Sequence, residues 1–270
     1  MTFPSLNSEN ARVAERNSIF HTVSVANEND RSSELGEQHD TENVMNSHDE
    51  TFAAQRIKEN YELIVNRVHK YGGERVRVVA VTKTFPASAV NAVMAAGCSM
   101  IGENYAQDLL EKWPGVDPVH RPEVHFIGRL QSNKVRSLSR VVDIWQSVDR
   151  GSIVDEIARR APQSRMMLQV NATGEADKGG CEVSGLSELY SRAIDLGLEV
   201  VGLMAVGPTS GDIAITRRAF ETTARLAHEL GVPEVSMGMT ADLELAIECG
   251  STMVRIGSAI FGDRPPMTHQ

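Results

Sequence analysis

Lys83 is the residue from which a chemistry can first be read. The chain holds six lysines against 21 arginines. Lys58, Lys70 and Lys112 fall in helical stretches that would keep them at the solvent, whereas Lys83 directly follows the apolar run Val78-Val79-Ala80-Val81. An amine at the dry end of a buried strand is partly desolvated, which favours the neutral base and makes it a nucleophile toward a carbonyl. A lysine that snorkels to a rim and does nothing is the alternative. Ser236, Gly238, Gly257 and Ser258 combine hydroxyls with glycines that let backbone N–H groups approach an anion, and Ser258 precedes a short helical stretch at 259–261. Small residues closing a crowded end of the fold would explain the same pattern. Arg255, between Val254 and Ile256, is a charge within a strand and calls for a partner, Glu103 or another inward acid. A carbonyl-trapping amine, a phosphate cradle and a fixed cation together describe a pocket for a phosphorylated aldehyde, either a sugar phosphate or pyridoxal 5′-phosphate (PLP).

These residues need elements to hold them. Apolar, β-branched runs at 76–82, 99–103, 124–128, 143–148, 165–171, 198–206, 234–239 and 253–258 read as eight strands, with helical stretches between most of them. Ile57, Tyr61, Ile64, Val65 and Val68 mark one face of a helix before the first strand, ended at Gly72-Gly73. Pro86 opens a helix that Gly97 closes, and Ser132, Ser184 and Thr240 are expected N-caps. Continuous apolar strands separated by helices imply parallel pairing buried on both faces. Eight near-even units favour an α/β fold closed as a (β/α)8 TIM barrel with an extra N-terminal helix, over an open doubly wound sheet. In such a barrel the chemistry sits at strand C-termini, where all the residues above lie.

Composition sets the outer bounds. The 270 residues are 41% hydrophobic, 23% charged and 5% aromatic, enough for one sizeable core. No apolar run approaches the roughly 18 residues of a membrane span, and no basic N-terminus leads into an apolar stretch. Cys98, Cys181 and Cys249 lie far apart, which excludes a disulfide scaffold or zinc finger and suits a reducing cytoplasm. A net charge of −9 argues against nucleic acid, but it is uneven. Residues 1–50 hold ten acids, three arginines, one Gly, one Pro and no Lys, a balance of −7, leaving −2 for 51–270. The expected organisation is a disordered acidic extension over 1–50 and a barrel over 51–270. His21, His39 and His48 have no metal-like spacing.

The motifs also carry a resemblance. Ala80-Val81-Thr82-Lys83, Gly102-Glu103-Asn104-Tyr105-Ala106-Gln107, His125-Phe126-Ile127-Gly128 with Leu130-Gln131-Ser132-Asn133-Lys134, Gly202-Leu203-Met204, Ser236-Met237-Gly238-Met239 and the run from Gly250 to Ser258 stand in register. Over roughly residues 55–265 the chain closely resembles the pyridoxal phosphate homeostasis proteins. The resemblance implies a fold-type III PLP barrel like the N-terminal domain of alanine racemase. It implies PLP as a covalent aldimine on Lys83, its phosphate held by Ser236, Gly238, Gly257 and Ser258. Arg255 would face the pyridine nitrogen, and Asn104, Asn171 and Met204 would line the ring pocket. Two residues depart from the family pattern: Arg129, where a small or imidazole residue is usual, and Ser258, where threonine is commoner.

A guanidinium beside the pyridine nitrogen keeps that nitrogen unprotonated, which weakens the ring as an electron sink. Racemases of this kind add a tyrosine base from a further β-domain. Only about a dozen residues follow the last strand here, and of Tyr61, Tyr71, Tyr105 and Tyr190 only Tyr105 lies near a strand mouth, where packing is its expected role. The resulting expectation is a monomeric cytoplasmic carrier that buffers PLP and passes it to PLP-dependent apo-enzymes, without membrane or nucleic-acid partners. An amino-acid racemase is the main rival and a class I aldolase the second. Cys98, Cys249, Met237 and Met239 read as packing, and Lys134 and Lys178 as exposed lysines.

Overall fold

Each of the eight apolar runs forms a parallel strand in the computed structural model, which describes residues 32–72 and 75–263, with side chains from residue 51 onward. The strands are β1 (Arg77–Val81), β2 (Met100–Glu103), β3 (Glu123–Phe126), β4 (Ile144–Val148), β5 (Arg165–Gln169), β6 (Glu199–Met204), β7 (Glu234–Ser236) and β8 (Met253–Ile256). They pair in chain order and close, with Val78 opposite Val254 and Ala80 opposite Ile256. That last pairing rules out the open doubly wound alternative. The helices are α1 (Ser32–Gly72), α2 (Ala87–Ala95), α3 (Ala106–Lys112), α4 (Ser132–Leu138), α5 (Gly151–Arg160), α6 (Leu186–Asp195), α7 (Ile213–Leu230), α8 (Leu243–Glu248) and α9 (Ser258–Phe261).

Most strands are shorter than the apolar runs suggest, because the last residues of a run leave the ladder to build the barrel mouth. After β7 the cause is Gly238, whose φ of 96° turns the chain out of the sheet. A Cβ there would lie 2.5 Å from the Ala246 Cβ on α8, so only glycine permits both this turn and this approach. The three expected hydroxyl caps are not caps. Ser132 is already the first residue of α4, Ser184 lies in a 3-10 turn before α6, and α8 starts at Leu243, three residues after Thr240, with Asp242 at its N-cap position.

Side chains alternate along each strand between the interior and the helical layer. Val79, Met100, Ile144, Met167, Met204 and Met253 form an apolar interior. Their neighbours Val78, Ile101, Trp145, Leu168, Leu203 and Val254 pack outward against the helices. Ile57, Ile64 and Val68 of α1 are buried in one cluster with Val76, Val78, Leu243 and Ile260. Arg67 forks onto Glu244 at 2.5 and 2.7 Å. α1 begins at Ser32, within the segment whose composition suggests an unstructured leader; residues 1–31 lie outside the described residues. By contacts the chain divides into Met1–Asn46 and Ser47–Gln270. Among the described residues no helix is long and apolar enough to cross a membrane.

Candidate cofactor site

The same two-residue period that fills the interior also aims the mouth. Counting outward along β1, Val79 and Val81 face inward, so Lys83 does too; β2 delivers Asn104 by the same parity, β6 delivers Met204 and Val206, and β8 delivers Arg255 and Gly257. All of these except Val79 line one cavity of about 400 Å³, with Ile127, Met239, Thr240, Ala241 and Ser258. That volume is within the range of about 300–1,000 Å³ usual for small-molecule sites.

Behind Lys83 lies a buried network that its helical context did not suggest. Lys112 is not at the solvent. It ends α3 only 8% exposed, and its Nζ donates to the Thr82 carbonyl (2.7 Å) and pairs with Glu103 and Asp108 at 3.0 Å each. Glu103, the acid expected to meet Arg255, is thus taken by Lys112; its Oε1 also accepts from the Thr82 hydroxyl at 2.5 Å. Burial pushes the Glu103 carboxyl up to about 7, with Lys112 opposing. Thr84, just after Lys83, adopts a left-handed φ of 67° and donates its N–H to Asp108 at 2.7 Å. A non-glycine residue in that region is uncommon, and Asp108 holds it there, fixing the backbone on the far side of Lys83.

Asn104 lines the cavity with a buried Oδ1 that has no partner among the described residues. Gly128 explains how β2 and β3 come so close at this point: a Cβ there would be 1.9 Å from the Asn104 carbonyl oxygen. Arg255 is 5% exposed. Its Nη1 donates to the Ser236 carbonyl (2.7 Å) and hydroxyl (2.8 Å), and its Nη2 to the Ala205 carbonyl (2.8 Å). Burial pushes its pKa down to about 10, opposed by the charge of Asp242.

Six of the nine sequence candidates, Lys83, Asn104, Met204, Arg255, Gly257 and Ser258, therefore meet in the cavity. Three do not line it. The Ser236 hydroxyl is fully buried and donates to Gln146 Oε1 at 2.7 Å, so its one hydrogen is not available to a phosphate. Gly238 shapes the turn from behind. Asn171 closes the loop after β5, accepting from Thr173 and Gly174 and donating to the Glu175 carbonyl. In place of Ser236, β7 contributes the segment Met239-Thr240-Ala241. Thr240 was legible only as a cap, because the sequence does not show that Gly238 swings the following residues over the mouth. Met239 is 43% exposed at this rim rather than filling the barrel end, while Met237 is buried as expected. Tyr105 is exposed, Arg129 lies at the surface, and Lys178 is half-buried against the Gly207 carbonyl and Glu175.

The residues present suit a phosphorylated pyridine aldehyde. The cavity offers an amine, a cation anchored on one edge, a buried oxygen awaiting a donor, and the start of α9 beside Gly257. Residues 53–265 match the alanine racemase N-terminal domain family. A pyridoxal phosphate homeostasis protein of Aquifex aeolicus is 35% identical over 225 residues, covering 78% of this chain and 98% of its own. One from Vibrio cholerae is 37% identical over 235 residues, covering 77% and 96%. The chain belongs to the pyridoxal phosphate homeostasis protein family. Among solved structures, PipY of Synechococcus elongatus with PLP bound superposes with a TM-score of 0.68 at 28% identity, over 76% of this chain and all of PipY. Alanine racemase from Corynebacterium glutamicum, at 17% identity and a TM-score of 0.59 over 80% of this chain and 63% of its own, shares the barrel fold.

Proposed function

We propose that this chain binds PLP and serves in its homeostasis, holding the cofactor as a Schiff base on Lys83 and buffering or delivering it. The observation that carries this reading is the convergence of Lys83, Arg255, Gly257 and Ser258 on one cavity of about 400 Å³. The family's name and the PLP in PipY support it. Lys83 and Arg255 are the ionisable groups of the lining, one to capture the aldehyde and one to face the ring nitrogen. That set is suited to retention more than to moving a substrate proton, which needs a second acid or base within reach. Met239, Thr240 and Ala241 replace Ser236 as the β7 side of the phosphate site. The carrier is proposed to work as a cytoplasmic monomer of barrel 51–270, with PLP-dependent apo-enzymes as recipients.

The purified protein is expected to be yellow, with an absorption band that borohydride reduces and fixes to the peptide containing Lys83. Lys83→Ala should abolish the fixed adduct. A colourless protein that traps a sugar phosphate on Lys83 would instead make it an aldolase. Incubation with L-amino acids in deuterated water separates carrier from racemase, since Cα exchange at enzyme-like rates would overturn the carrier role.

A further inference from the structure

Beneath the cavity lining, the barrel interior contains a polar file. Arg165 donates to Glu123 Oε2 at 2.9 Å, and Glu123 Oε1 lies 2.8 Å from His125 Nε2. His125 Nδ1 is 2.6 Å from Gln146 Nε2, and Gln146 Oε1 accepts from the Ser236 hydroxyl at 2.7 Å. Ser236 Oγ in turn accepts from Arg255 Nη1 at 2.8 Å. His125, Gln146 and Ser236 are fully buried. One hydrogen-bonded file thus crosses the barrel, from Glu123 at the start of β3 to Arg255 at the mouth.

Its direction follows from valence. An amide nitrogen only donates and an amide oxygen only accepts, so His125 must accept at Nδ1 and carry its hydrogen on Nε2, toward Glu123. Ser236 spends its hydrogen on Gln146 and is left to accept from Arg255. Every bond therefore donates the same way, from guanidinium to carboxylate, an arrangement in which each bond polarises the next. The second Gln146 hydrogen goes to Met253 Sδ at 3.1 Å, a contact the amide would lose if turned over. Among the described residues no carboxylate lies within ion-pair range of Arg255. Its Nε–H and one Nη2 hydrogen have no acceptor among the described residues beyond the Ser236 and Ala205 bonds, which leaves that edge facing the cavity. Apolar side chains fill the rest of the interior, and an apolar replacement for a buried polar set is often neutral or stabilising. Stability alone does not call for this file.

We propose that Ser236, Gln146 and His125 are positioning residues that tie Arg255 to the Glu123 carboxylate across the barrel, holding the guanidinium cationic and its free N–H edge at the ring nitrogen of the cofactor. The cofactor end of this proposal rests on the PLP reading above; the file itself does not.

Two measurements on the full chain test it. Without PLP, the imidazole nitrogen shifts of ¹⁵N-labelled His125 should show the neutral Nε2–H form at neutral pH. An Nδ1–H form or an imidazolium in the wild type overturns the file. With PLP, Ser236→Ala and Gln146→Met should each weaken binding about tenfold, the scale of a lost hydrogen bond to a charged group. The pH titration of the bound cofactor's ring nitrogen should move upward by about one unit, since a loosened cation no longer holds it down. Ser236→Thr should restore both values, and Met167→Leu, an equally buried apolar change, should move neither. If Gln146→Met does not fold, Ser236→Ala decides. Wild-type affinity and titration in a folded Ser236→Ala overturn the proposal, whereas a wild type that retains no PLP overturns the functional reading and leaves the tautomer measurement to judge the file.

Discussion

Lys112 shows how far a side chain's role depends on what lies beneath its helix. It ends α3, and it is buried because Glu103 and Asp108 meet it there. Glu103 titrates at about 7 in the fold, against an ordinary value of 4.5. The folded state therefore binds the proton more tightly than the unfolded chain. This group's contribution to stability is fully present below about pH 4.5 and is lost as pH rises through 7. Lys112→Met removes the cation that offsets the ionised carboxyl, so urea unfolding at pH 8 should show a loss of ~3–5 kcal/mol. At pH 5, where the Glu103 carboxyl is protonated, the loss should fall to ~1–3 kcal/mol, that of the hydrogen bonds and the partly exposed pair with Asp108. A loss that does not change with pH would mean that Glu103 carries no charge at pH 8. The sequence could not reveal this pair: Lys112 lies nine residues from Glu103, a separation that has no meaning on a helix, and only the turn from β2 into α3 brings them together.

At the scale of elements, strands were far more legible than their ends. A run buried on both faces is predominantly apolar, so each of the eight runs announces itself. Where within a run the ladder stops and the mouth begins is not marked by residue type. Helix starts were less legible for a related reason. Of the hydroxyls that read as caps, Thr240 lines the cavity while Ser132 is already helical and Ser184 lies in a 3-10 turn, and Asp212 is the residue whose side chain caps a described helix, accepting from Ile215 at 2.9 Å before α7. The approach of β3 to Asn104 belongs to this scale and is testable there. Gly128→Ala would place a methyl on the Asn104 carbonyl, and since backbone cannot yield as a flexible side chain can, a cost of ~1–3 kcal/mol is expected. Displacing Asn104 should also weaken PLP binding measured by absorbance titration. An unchanged affinity would remove Asn104 from the site.

For the whole molecule, the sharp question is what the acidic N-terminal segment contributes. The division at Asn46 and Ser47 leaves the buried α1 residues Ile57, Ile64 and Val68 with the barrel. Deleting residues 1–46 should leave the melting temperature within ~2–4 °C, less than about 1 kcal/mol for a domain this size, and PLP binding intact. Deleting through residue 72 should instead abolish cooperative melting, because three aliphatic side chains worth ~1.5–3 kcal/mol each lose their burial together with the Arg67–Glu244 fork. If removing 1–46 alone destabilises the barrel, the proposed boundary is wrong. By itself the sequence determined the eight strands, their parallel sense and the mouth residues Lys83, Asn104, Met204 and Arg255, because burial on both faces and a period of two are written locally in the order of residue types; the family was legible separately, as a resemblance carried by motifs. Only the tertiary structure decided that β8 meets β1, that Ser236 bonds Gln146 and Arg255 instead of lining the cavity, that Thr240 does line it, and that His125 and Gln146 join Glu123 to the mouth. Each of those contacts links residues brought together by closure of the barrel, and no local pattern encodes which distant side chain will stand opposite.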